Sequence, residues 1–143
     1  MTSIARIAEL LVQHLDPEDA AVAVTTDDIV EITSPVGGLD RAVQVHVRDI
    51  AELEIAFVVP SRSGSPFEAL FTGSIEEEDA IIDAAVNFVS DLIGERVVLA
   101  WDSRLFRGGQ RFLSASEFSQ SAKRQFAWAV SWSGEHDWDA PDV

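Results

Sequence analysis

The chain has no cysteine, which excludes disulfide scaffolds, thiolate metal sites and cysteine nucleophiles and suits a reducing compartment. Lysine is nearly absent: Lys123 stands against nine arginines, the pattern expected from the coding bias of a GC-rich genome, with halophilic acidity as an addition. No apolar run approaches the roughly 18 residues that a membrane span needs. The start, MTSIARIAELLVQHL, lacks a basic leader region, carries Glu9 inside its apolar pattern and has no small-residue cleavage site. Also missing are a glycine-rich phosphate loop, a Gly-x-Ser-x-Gly elbow and EF-hand spacing. Cations are scarce as well. The formal net charge is -15, so phosphate backbones and anionic lipid surfaces are repelled, and neither nucleic acid nor membrane is expected as a partner. These absences together predict a cytoplasmic protein.

What is present is ordinary globular composition, 143 residues at 47% hydrophobic, enough for one domain with its own core. A single domain is expected over 1–143, with the acidic, proline-containing end, 136–143, frayed. The clearest element lies at 74–93. Ser74 and Glu77 have capping-box spacing, and Glu76 to Asp79 place acid at the positive end of a helix. Ile81, Ala85, Phe88 and Leu92 form one apolar row and Ile82, Val86, Val89 and Ile93 the next, while Asp79, Asp83 and Asn87 fall on the opposite side. Gly94 is the expected left-handed stop, and Val97 to Leu99 the start of a buried strand.

An amphipathic helix is predicted over 3–15 from Ile4, Ile7, Leu11 and Leu15, stopped by Pro17. From Ala21 to Phe71 the period is two. Val43, Val45 and Val47, then Leu53, Ile55 and Phe57, alternate with polar or small residues, as half-buried antiparallel strands do. After Trp101, Gly108-Gly109 reads as a hairpin tip, Ser114 with Glu117 as a second capping box, and FAWAVSW as a strand, with continuation of the short helix before it as the rival. The fold class expected is α+β: a mainly antiparallel sheet, built of a meander with a C-terminal hairpin and strand, and two main helices packed on one face.

Few residues offer chemistry. His14 ends a helix, His46 lies on the polar side of a strand, and His136 sits with Asp137 and Asp139 in GEHDWDAPD without regular ligand spacing. No catalytic residue, metal ligand or cofactor is therefore expected. Charge is uneven: residues 1–103 carry a net -15, whereas 104–124 carry +4 through Arg104, Arg107, Arg111, Lys123 and Arg124 against Glu117. Arg104, Phe106, Arg107 and Arg111, cations interleaved with an aromatic, form one candidate partner-binding set; Trp138, flanked by acids, is the tryptophan expected to be exposed. Offsetting the protein's own acids is the alternative role for Arg104 and Arg111. Trp101 and Trp128 are expected in the core.

In size, acidity and order of elements the chain resembles type III secretion chaperones and bacterial toxin-immunity proteins, a likeness of fold alone. That resemblance implies a non-enzymatic protein-binding or regulatory domain whose acidic surface selects a basic protein partner, with a second copy of the chain as a further candidate. The alternative is a small enzyme or ligand-binding domain with a pocket between sheet and helices, using Arg104, Arg107 or His46.

Overall fold

Alternating residues that must hide one side chain in two build two antiparallel sheets in this protein. The computed structural model describes residues 3–35, 41–49, 51–60, 67–102, 109–120 and 125–140. The chain forms two compact units, Met1–Ser90 and Asp91–Val143. The α+β class is as the patterning predicts.

The first unit starts with helix α1 (Ser3–His14) and continues through strands β1 (Ala21–Thr26), β2 (Ile29–Thr33), β3 (Ala42–Asp49), β4 (Glu52–Val58) and β5 (Phe67–Thr72). These five strands form a meander in the order β1-β2-β3-β4-β5. The register explains its core. Val30 faces Val45, which faces Ile55; Ile32 faces Val43, which faces Phe57. All six are buried, so a slip of one residue in any pair would turn this apolar set to water and bring the polar set inward. Ile7, Leu11 and Leu15, four residues apart, are the buried stripe of α1, which lies against β1 and β2. Pro17 follows it, and the Asp16 side chain accepts from the Glu18 N–H at 2.9 Å.

A 3₁₀ turn at Ile75–Glu77 leads into α2 (Glu78–Ile93). Ser74 N–H and Ser74 Oγ both donate to Glu77 Oε1, at 3.2 and 2.9 Å, and hold the Glu77 carboxyl below its ordinary pKa. Both apolar rows of α2 are buried except Phe88, which is half-buried and packs its ring 5.7 Å from that of Phe71 on β5. Asp79, Asp83 and Asn87 are exposed, as the pattern predicts. Gly73, before the turn, has a steric reason: a Cβ there would lie 2.8 Å from Ile81 Cδ1.

In the second unit the left-handed residue after α2 is Glu95, at φ 64°, rather than the expected Gly94. Arg96 N–H reaches the Asp91 carbonyl at 2.8 Å, and the Arg96 guanidinium pairs with the Asp91 carboxylate at 2.7 Å. Strands β6 (Val97–Asp102) and β7 (Gly109–Ser114), helix α3 (Ala115–Gln120), and strands β8 (Phe126–Val130) and β9 (Trp138–Asp139) follow. The sheet order is β7-β6-β8-β9. Val98, Ala100, Leu113, Phe118, Phe126 and Ala129 form the core of one face, closed by the tilted pair Phe118 and Phe126, 5.3 Å apart. FAWAV is a strand, and the short helix is separate from it. The frayed end is corrected over 138–139: β9 pairs with β8, Trp138 opposite Ala129.

Candidate functional site

Arg104, Phe106 and Arg107 lie outside the described residues, as does Gly108 of the expected hairpin tip, whereas Gly109 begins β7 opposite Asp102. Arg111 is on β7, where its Nε donates to Asp102 Oδ2 at 3.1 Å and its Nη2 lies 3.5 Å from Glu117 Oε1. It therefore serves the protein's own acids. Trp138 is not an exposed anchor. It is half-buried on β9 and packs against the core cluster of its unit, because pairing with β8 turns the indole to that face. Trp101 and Trp128 are half-buried cross-strand partners with rings 6.3 Å apart, and Trp132 is fully buried. Of the described part of the predicted set, Arg111 is thus ion-paired within its unit and Trp138 packs on that unit's core cluster.

On the outer face of the meander, Gln44 donates to Glu31 at 3.1 Å and lies 3.0 Å from His46 Nε2. Arg48 pairs with Glu54 at 2.9 Å. The hydrogen bond from Arg48 holds the Glu54 carboxyl below the ordinary carboxylate range, against the opposing effect of burial. His46 is thereby one link of a polar ladder. Among the described residues, three open depressions in this unit are lined by residues other than His46.

The feature that stands out is the β5 edge. β5 ends the sheet order, so its outer backbone groups face no strand among the described residues. Its six register pairs with β4 run without a shift, from Glu52 opposite Thr72 to Phe57 opposite Phe67. The other edge, β1, has a bulge between Val24 and Thr26, a device that twists an edge away from further pairing. Beside β5 runs a groove of about 390 Å³ between Leu70, Phe71 and Thr72 on one side and Glu77, Ala80, Ile81 and Ala84 on the other. Ala80 and Ala84, one helical turn apart, are small and exposed, so backbone can approach α2 closely there. Leu70 is 60% exposed and Ile75, lining the neighbouring depression, 68%. Around them stand Glu52, Glu68, Glu76 and Glu77, and Asp79 is already paired with Arg6.

This edge was legible in part. In FEALF the alternation puts Ala69 and Phe71 inward and leaves Leu70 beside Glu68 on the wet face. That β5 is terminal, and that alanines line its flank, follows from the strand order alone. No protein-family model, curated protein or solved structure matches this chain. The functional reading therefore rests on the site.

Proposed function

We propose that the protein is a non-enzymatic protein-binding domain that takes an extended, basic segment of a partner protein as an added strand on β5. The observation that carries this reading is the unbroken β5 edge beside an apolar groove rimmed by acid. Main-chain hydrogen bonds to a sheet edge supply affinity without regard to sequence, and alternate side chains in a neighbouring groove supply selectivity. Leu70 and the Ala80–Ala84 flank offer the apolar contacts. Glu68, Glu76 and Glu77 favour Lys or Arg at the intervening positions, and the charge of the whole chain steers such a segment inward.

Selection of a displayed random-peptide library against the purified protein tests the reading. The peptides recovered should alternate apolar with basic residues, and backbone amide NMR shifts on titration should centre on 68–72. Filling the groove with Ala84→Trp should weaken binding at least about tenfold, as truncating or blocking a central contact does. Recovery of acidic peptides, or shifts centred elsewhere, would sink it.

A further inference from the structure

The stretch GEHDWDAPD contains the only imidazole of the second unit, His136, and the sequence offers Asp137 and Asp139 as its neighbours. The fold uses those two otherwise. Asp137 Oδ1 accepts from the Ser131 N–H at 3.1 Å, and Asp139 lies on β9 opposite Trp128. Ser131, fully buried, in turn accepts the His136 N–H on its Oγ at 3.0 Å. With Gly134 at φ 86°, the result is a tight turn that presents the side chains of Glu135 and His136 together. Glu95, brought from the end of α2, meets them. One donor atom from each of Glu95, Glu135 and His136 lies within 4.8 Å of the other two.

Glu95 is the informative member. Its Oε1 accepts the Ser133 N–H, whereas its Oε2 is sealed from solvent and has no hydrogen-bond partner. A carboxylate oxygen that has lost water and gained no donor is costly and rare in folded proteins. A second carboxylate stands beside it and adds repulsion. A cation satisfies all three groups: it supplies a partner for the Glu95 carboxylate, takes the imidazole lone pair, and turns the repulsion between Glu95 and Glu135 into attraction to a common charge.

We propose that Glu95, Glu135 and His136 form a binding site for a divalent transition-metal ion, zinc being the best fit. One imidazole with two carboxylates is a donor set that suits zinc or manganese rather than magnesium or calcium, which take oxygen alone. Zinc bonds of about 2.0–2.2 Å place tetrahedral donors about 3.5 Å apart, so the site closes by roughly an ångström, a movement that the exposed Glu135 side chain can supply. Three protein ligands leave a fourth position for water or a partner's side chain.

Calorimetric titration of the EDTA-treated full-length chain with zinc chloride, in excess magnesium to occupy the diffuse acidic surface, tests this. One saturable equivalent is expected, with Glu135→Gln and His136→Gln each weakening it at least about tenfold, the loss that follows even from removing a ligand's supporting partner. Glu95→Gln should do the same; should that variant fail to fold, the other two, Glu135 being exposed, still decide. His14→Gln and His46→Gln should leave the affinity unchanged. Absence of saturable binding would overturn the proposal and leave an ordinary imidazole–carboxylate contact. Binding that survives Glu135→Gln and His136→Gln would overturn it too, by placing the metal elsewhere.

Discussion

Arg111→Ala should destabilise the protein by about 2 kcal/mol, well beyond what a surface arginine contributes. The magnitude follows from the exposure of the two partners. Asp102 has only 2% of its side chain in contact with water, Arg111 31%. Stranding one member of a fully buried pair costs about 3–5 kcal/mol, whereas an exposed pair is worth about 0–1. Here the acid is buried but keeps a further interaction, and water entering the space vacated by the part-exposed arginine recovers part of the loss, so an intermediate figure results. Glu117, 53% exposed and 3.5 Å from the same guanidinium, should matter little: Glu117→Ala stays within about 0.5 kcal/mol. Urea denaturation of the three proteins gives these differences directly. Much of the cost comes from keeping a buried carboxylate charged with less compensation, so removing that charge is a second test. Adding Asp102→Asn to Arg111→Ala should restore part of the stability, since a neutral amide loses less on leaving water. If Arg111→Ala unfolds at the wild-type midpoint, or the double variant is no more stable than Arg111→Ala, the reasoning is wrong.

On α2, Leu92→Ala should cost about 2–5 kcal/mol, and half-buried Phe88 should fall near the low end of that range. Asp83→Ala and Asn87→Ala should stay within about 0.5 kcal/mol; a larger loss in denaturation would show that this face is covered. Glu54 sets an acid limit. Its folded-state pKa lies below the ordinary glutamate value of about 4.3, chiefly through the Arg48 hydrogen bond, so its contribution is complete above that value and lost as pH falls through the lowered one. Stability of wild type relative to Glu54→Gln, followed by urea midpoint from about pH 6 to about pH 3, should decline with acid, and a flat difference refutes the linkage.

Local periodicity carried most of the fold. Val43 to Val47 and Leu53 to Phe57 read as paired strands because each residue's partner is set by the same alternation on a neighbouring strand joined by a short turn. The two rows of α2 were equally plain. What local pattern could not supply was the identity of residues that meet across long separations. Arg111 and Asp102 are nine positions apart and look like members of separate charge groups until β6 and β7 are zipped in register. Trp138 looks exposed between two aspartates, yet pairing with β8 turns it inward. Glu95 follows a glycine that should have taken the left-handed conformation. The glutamate takes it instead, and its carboxylate accepts the N–H of Ser133, thirty-eight residues on.

Acidity alone would draw both a basic peptide and a metal ion toward this chain, so the two proposed sites are meaningful only if each does something that diffuse charge cannot. Salt separates the cases. At physiological ionic strength the Debye length is about 8 Å, so attraction summed over the scattered carboxylates fades as salt rises, and the steering of a basic segment to β5 fades with it. The backbone hydrogen bonds and apolar groove contacts of an added strand are not screened, so dissociation of the bound segment should change less than its association. Coordination at Glu95, Glu135 and His136 involves direct bonds at about 2 Å, far inside the Debye length. Its affinity should therefore hold in salt and magnesium that abolish ordinary counter-ion binding. A zinc site that weakens in parallel with general cation binding would be surface charge, and a peptide whose dissociation accelerates as steeply as its association slows would be held by the acidic rim and not by the β5 edge.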